Sequence, residues 1–193
     1  MNGYELFFKP FPIFQSDRLT LRALKISDAG DLYRCCREPA VSRYSEWYPH
    51  ADAAQSRAYI SWMQSQYRKK EGTTFAVCQR VGGRLIGTAS YINLDLEHRT
   101  GEIGYCLAAD CWGSGFAPEA AFILLDYGFR RMELHRISAS VMPENTRSIR
   151  VLEKLGFSRE GLMRNAIFCK GADHDLWLYA ITDSAFFARF GRK

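Results

Sequence analysis

The stretch Trp112-Gly113-Ser114-Gly115-Phe116-Ala117-Pro118-Glu119-Ala120-Ala121 joins a short glycine-rich loop to the start of a helix. Gly113 and Gly115 carry no Cβ, so the main chain there can take left-handed angles and approach a ligand closely. Pro118 suits the first helical position, where a missing N–H costs nothing and φ is already set. Phe122, Leu125 and Phe129 then recur at helical spacing, with Ala121 and Leu124 beside them. A helix that begins this way aims several N–H groups and the positive end of its dipole at one spot, which favours phosphate. The spacing is neither G-x-G-x-x-G nor G-x-x-x-x-G-K-[ST], so the loop alone reads equally well as a turn before a core helix. Its neighbours decide between the two.

Upstream, Thr73 to Arg80 and Arg84 to Leu94 are apolar, β-rich runs joined by a turn at Val81-Gly82-Gly83. Gly101 to Leu107 follows, with Ile103, Tyr105 and Leu107 on one face and Glu102, Gly104 and Cys106 on the other. These three strands form an antiparallel meander that feeds straight into the loop. Downstream, Arg136 to Val141 alternates again and, coming after a strand and a helix, should lie parallel to Gly101–Leu107. Asn145 to Leu155 reads as a helix stopped by Gly156, with Ile149, Leu152 and Leu155 on its buried side.

Further out, Arg18 to Leu24 alternates as a strand, and Ser27 caps a helix that runs to about Arg37 and stops before Pro39. A longer helix covers Ala54 to Lys70, burying Ile60, Met63 and Tyr67. Its closing Arg68-Lys69-Lys70 suits the negative end of a helix dipole better than it suits a nucleic-acid patch. Val41 to His50, with Tyr44, Trp47 and Tyr48, has no steady period and reads as an aromatic loop that packs on the core or walls a groove. Two closing strands, Phe157 to Phe168 and His174 to Thr182, flank a turn at Lys170-Gly171. The expected fold is one α+β domain over residues 1–193, its core spanning 18–182. A mixed, mostly antiparallel sheet of about seven strands carries about four helices and one parallel strand pair that splays apart.

Bulk properties narrow the function classes. Hydrophobic residues at 47% and charged residues at 24% are ordinary globular values, so disorder is not expected. A net charge of +5 is mild, and helps recruit a polyanionic ligand without specifying nucleic acid. Six cysteines form no C-x-x-C pair and four histidines are scattered, which gives no metal-ligand spacing. The lead Met1 to Phe14 is broken by Pro10 and Pro12 and lacks the pattern of a signal peptide, and no run reaches a membrane span, so a cytoplasmic location is expected.

With the loop, the element order and the run His135-Arg136-Ile137, Asn145, Ser148, Leu155-Gly156-Phe157 and Glu160-Gly161 in view, the chain resembles the GNAT superfamily of N-acetyltransferases. The likeness is greatest to its RimJ/RimL branch, the ribosomal-protein N-terminal acetyltransferases, and covers Arg18 to Thr182. The resemblance implies acetyl-coenzyme A as co-substrate and an amine acceptor; no metal is expected, on the scattered cysteines and histidines. The family's pyrophosphate pattern Q/R-x-x-G-x-G/A falls on Trp112, Gly113, Ser114, Gly115, Phe116 and Ala117, with Trp112 replacing the polar first residue. By the same resemblance Tyr105, Cys106, Leu107 and Ala108 supply a splayed strand edge for the pantetheine arm, and Asn145 and Ser148 also meet the coenzyme.

The chemistry then needs a neutral amine, donors for a developing oxyanion and a proton for the departing thiolate. Glu102 is the candidate base, with a water chain as its rival, and a main-chain N–H near Leu107 can serve the oxyanion. The acid that many GNAT enzymes take from a tyrosine falls on Leu152 here, which leaves Ser148 as the candidate donor. Trp47, Tyr48, Tyr91 and Asp175 are candidates for the acceptor groove. A protein or peptide N-terminus, including that of a ribosomal protein, is the expected acceptor; a small amine or a non-catalytic acyl-CoA-binding module are the alternatives. No membrane partner is implied, and the chain is expected as a monomer or homodimer.

Overall fold

The computed structural model describes residues 10–191; most of the proline-broken lead, residues 1–9, and residues 192–193 fall outside it. Strands β1 (Phe14–Gln15), β2 (Leu19–Arg22), β3 (Thr74–Gln79), β4 (Leu85–Asp95), β5 (Thr100–Leu107), β6 (Arg136–Val141), β7 (Ser158–Cys169) and β8 (Ala172–Thr182) form one sheet. Their order is β1-β2-β3-β4-β5-β6-β8-β7. Helices α1 (Ala29–Cys36), α2 (Pro39–Ser42), α3 (Ala53–Lys69), α4 (Phe116–Arg130), α5 (Thr146–Lys154) and α6 (Asp183–Phe190) surround it. All four central residues of β3, Phe75 to Cys78, are buried, which requires cover on both faces of the sheet.

Every strand pairing is antiparallel except β5 with β6. That parallel pair is matched only at Thr100–Arg136, Gly101–Ile137 and Glu102–Ser138. Beyond Glu102 the strands part, although β5 stays paired with β4 as far as Leu107. The sheet therefore opens as a wedge on one side of β5, and α4 and α5 begin at its mouth.

The helices begin where their chemistry allows. Asp52 caps α3 by accepting from the Gln55 N–H at 2.7 Å, and Thr182 caps α6 through Oγ1 and the Ala185 N–H at 3.3 Å. α1 is anchored by Asp28, whose carboxylate takes both guanidinium arms of Arg22 at 2.7 and 2.8 Å and the Lys25 N–H at 2.8 Å.

Three departures from the sequence reading have plain causes. Pro39 follows the end of the first helix but also opens a second one, α2, because a first-turn proline forfeits no hydrogen bond. Pro118 stands third in α4 rather than first, where its absent N–H is still one of the unpaired first-turn groups. The sheet has eight strands and the described residues six helices, since β1, α2 and α6 add short elements. α6 buries Phe186 against Phe129, with ring centroids 4.9 Å apart, and sets Phe190 against Phe122 at 5.0 Å.

Candidate active site

A cleft of about 590 Å³ occupies the mouth of the β5–β6 wedge. One flank is the stretch from Ala40 to Ser45, the floor is Tyr105 to Leu107, and the far flank is the glycine loop with the start of α5. In the loop, Gly113 and Gly115 adopt φ of 76° and 79°, the left-handed angles that favour glycine. A Cβ on Gly113 would meet nothing within 4 Å, so the space above it is open to a ligand. Gly115 is the residue from which α4 departs, so the free N–H groups of the first turn face the same opening. The arrangement fits a diphosphate.

The loop is fastened from three directions. The Trp112 indole N–H donates to the Leu107 carbonyl at 2.9 Å, which ties the loop to the end of β5. Arg18 donates to the Ser114 carbonyl at 2.9 Å and to Glu119 Oε2 at 2.7 Å, and its guanidinium lies 4.6 Å from the centre of the Phe116 ring. Arg147, in the first turn of α5, stacks 4.3 Å over the Trp112 ring. The residue that replaces the polar first position of the loop pattern thus seats a cation from another element. Arg43, Arg147, Arg150 and Lys154 line the cleft against the single carboxylate of Glu144, a balance that attracts a polyanion.

On the floor, the Ala108 N–H bonds the Ile86 carbonyl at 2.8 Å, toward β4. Strand alternation then turns the N–H groups of Leu107 and Tyr105 the opposite way, into the wedge. Ala108 itself is buried and, with Ser114, stays out of the cleft lining, whereas Tyr105, Cys106, Leu107, Trp112, Gly113, Gly115, Phe116 and Ala117 reach it. Asn145 and Ser148 line it too. Asn145 Oδ1 accepts the Ser148 N–H at 3.3 Å and so caps α5. Ser148 Oγ stands 3.0 Å from the Tyr105 hydroxyl. Burial pushes the Tyr105 phenol up to about 12 against the opposing pull of Ser148, so it keeps its proton at neutral pH.

Glu102 stands at the last matched pair of β5 and β6, half-buried on the face opposite Tyr105. Its carboxylate accepts from Asn93 Nδ2 at 2.9 Å and from Ser140 Oγ at 2.8 Å. Among the described residues no cation pairs with it. Two neutral donors on neighbouring strands therefore hold it at the point where the wedge opens, though Glu102 itself is not among the residues that line the cleft. All six cysteines are free; of those in the cleft, Cys111 has its thiol pushed up by burial and by Asp110, the opposite of a poised nucleophile.

The acceptor candidates fare less well. Tyr91 is only 1% exposed, and its hydroxyl donates to the Leu124 carbonyl at 2.5 Å inside the core. It cannot wall a groove from there. Its place depends on Gly128, where a Cβ would stand 3.2 Å from the Tyr91 hydroxyl. Asp175 accepts the Asn165 N–H at 2.8 Å across the β7–β8 hairpin, at a break in the register, and does not line the cleft. Trp47 packs near His50 at 5.9 Å, and exposed Tyr48 sits 5.9 Å from the Lys170 ammonium; neither reaches the cleft.

The residues that do form that flank are Arg43, Tyr44 and Ser45, which the sequence hides in an aperiodic loop. Lys170, in the β7–β8 turn, donates to the Ser42 carbonyl and so joins the hairpin to this flank. Among the described residues no group of three or more His, Cys, Asp or Glu side chains could hold a metal, and no helix is long and apolar enough to cross a membrane.

The sequence pattern described as an acetyltransferase (GNAT) domain matches residues 18–158. The chain is 36% identical over 166 residues to "Uncharacterized N-acetyltransferase p20" of Bacillus licheniformis, covering 86% of this chain and 93% of that protein. It is 29% identical to "Putative ribosomal N-acetyltransferase YdaF" of Bacillus subtilis, covering 86% of this chain and 92% of that one. A GNAT-family acetyltransferase of Bacillus anthracis, known from its crystal structure, superposes with a TM-score of 0.79 at 29% identity, over 90% of this chain and 99% of that one.

Proposed function

The chain belongs to the GNAT family of acetyltransferases, and on that premise we propose that it acetylates the α-amino group of a protein or peptide N-terminus in the manner of the RimJ/RimL branch. The family's co-substrate, acetyl-coenzyme A, supplies an activated acyl carbon and a thiolate leaving group. The observation that carries the proposal is the parting of β5 from β6 directly beside the glycine cradle, within one cleft.

Each step falls to a group already described. The loop and first-turn amides hold the diphosphate, and the Leu107 N–H faces the wedge as a donor for the oxyanion. Glu102, fixed by Asn93 and Ser140, takes the proton of the attacking amine directly or through water. Ser148 offers its hydroxyl to the departing sulfur. No enzyme nucleophile is required.

The acceptor side favours a peptide over a polyamine. From Ala40 to Ser45 the flank contributes Arg43 and no carboxylate, so a multiply charged cation finds nothing there to pair with. An α-amine also asks little of its base, because its pKa of about 8 lies well below the ~10.4 of lysine.

The test is a panel of N-terminal peptides and small amines with thiol release as the readout, repeated on Glu102→Gln. Turnover should fall by about 10²- to 10⁴-fold in that variant while acetyl-coenzyme A affinity stays intact. Unchanged turnover would remove Glu102 from the reaction. Turnover of small amines alone would replace the proposed acceptor, and binding without turnover of any amine would leave an acyl-CoA-binding module.

A further inference from the structure

A hydrogen bond between hydroxyls joins the floor of the cleft to the helix on its far flank. The Tyr105 hydroxyl, on β5, lies 3.0 Å from Ser148 Oγ and 3.4 Å from the Ser148 carbonyl oxygen, on α5. Either hydroxyl could donate in the shorter contact, and the chemistry of the pair settles the direction. A phenol is a stronger acid than an alkyl alcohol and hence the better donor. Burial keeps Tyr105 protonated, and no oxygen outside Ser148 accepts from it among the described residues. Tyr105 therefore donates to Ser148 Oγ.

The consequence falls on the serine. Within a helix a serine ordinarily returns its proton to a carbonyl three or four residues back. Those carbonyls belong to Asn145 and Glu144, and each could accept a second hydrogen bond beside the N–H it already takes. No bond runs from Ser148 Oγ to either of them. With its oxygen engaged by Tyr105 and no bond to those carbonyls, the Ser148 hydroxyl is left to turn its proton toward the open cleft, which Ser148 lines.

We propose that Tyr105 is a positioning residue that holds Ser148 with its O–H aimed into the wedge, as the donor to the thioester sulfur. The inference rests on the acetyl-transfer reading above. As the amine nitrogen bonds to the acyl carbon, the carbonyl π pair moves to the oxygen that faces the Leu107 N–H; when that pair returns, the C–S bond breaks and its electron pair goes to sulfur, where the Ser148 hydrogen bond meets it. The amine's proton leaves by way of Glu102 and water, and a proton from the same solvent pool neutralises the thiolate. Tyr105 keeps its own proton throughout. Leu152 of α5 is buried and offers no donor, so the donor reaches the cleft from two other residues, Tyr105 on its floor and Ser148 on its far flank.

The experiment is a double-mutant cycle on the full chain with Tyr105→Phe and Ser148→Ala, read as kcat, KM and direct acetyl-coenzyme A affinity. Tyr105→Phe keeps the ring and its packing, and thermal unfolding checks that it folds. Its kcat should fall about tenfold, the cost of one lost hydrogen bond, with coenzyme affinity within about twofold of the parent. The double variant should be no slower than Ser148→Ala. A Tyr105→Phe protein with parental kcat, or losses that multiply in the double variant, would overturn the proposal. Ser148→Ala separates the two levels: a slow serine variant beside a normal tyrosine variant sinks only the positioning role. A parent that acetylates no amine sinks the reaction itself.

Discussion

At one end of the cleft, Gly113 and Gly115 sit at φ of 76° and 79° and offer main-chain amides. At the other, the segment carrying Arg43, Tyr44 and Ser45 meets a hairpin turn through the Lys170 ammonium on the Ser42 carbonyl. The first end is made of backbone, and backbone that must turn left-handed demands glycine. The second is made of side chains brought together from residues more than a hundred positions apart, and many residue types can do that. A site of the first kind leaves its mark in the sequence, whereas one of the second kind leaves almost none. The same contrast predicts unequal responses to mutation.

The largest effect belongs to the cradle. Gly115→Val places a β-branched residue at φ +79°, a strain of about 1–2 kcal/mol before any contact is counted, and turns the first-turn amides off their common point. Acetyl-coenzyme A affinity, measured by calorimetry, should drop by about a hundredfold or more, since several charge-assisted bonds are lost together. A folded variant that binds normally would mean that the diphosphate is held by side chains after all, and the contrast between the ends would collapse.

Arg147→Gln probes one of the side chains that assist the cradle. No carboxylate pairs with Arg147 among the described residues, so its charge over the Trp112 ring is available to an anion. Affinity for the coenzyme should fall about three- to tenfold, and the remaining binding should depend less steeply on salt. Equal salt slopes for variant and parent would place Arg147 outside the phosphate field.

How much could be read in advance follows the same line. The β3–β4–β5 meander, the parallel β5–β6 pair and the helix expected over Ala54 to Lys70, found at Ala53–Lys69, were all legible because period and turn residues are local signals. Glu102 was legible as a position, but its partners Asn93 and Ser140 were not, since strand register sets them. Tyr91 misled because residue type does not reveal burial: a tyrosine can sit in the core when one carbonyl accepts its hydroxyl, and Gly128 leaves the room for that here. α6 was missed because the aromatics Phe186, Phe187 and Phe190 follow a strand that already closes the sheet. Only the packing of α6 on α4 explains them.

At the acceptor end, Lys170→Met removes the bond to the Ser42 carbonyl and keeps the aliphatic stem. The KM for the amine should rise about two- to fivefold, as expected for one half-exposed bond, with coenzyme affinity unmoved. An equal loss of coenzyme affinity would show that the two ends are coupled through α2.

The smallest effect is a pH dependence from the loop that follows the flank at that end, outside the cleft lining. His50 is held by Ser56 Oγ at 2.7 Å from Nδ1 and packs between the rings of Trp47 and Tyr59 at 5.9 and 6.4 Å. Burial pushes its pKa below the ordinary histidine value, so the folded chain prefers the neutral ring. The sign follows from linkage: this contribution to stability is complete above the unfolded pKa of about 6.5, and is lost as pH falls from there through the lowered folded value. Between pH 7 and pH 5 the thermal midpoint should therefore decline by a component that His50→Gln abolishes, because glutamine can still reach Ser56 but does not titrate. Over the same interval the KM for the amine should rise in the parent more than in the variant, after allowance for protonation of the amine itself. The affinity of the glycine cradle should not follow His50, since main-chain amides carry no titratable proton in that range. A coenzyme affinity that loses its pH dependence along with the imidazole would break the separation between the backbone-built and side-chain-built ends.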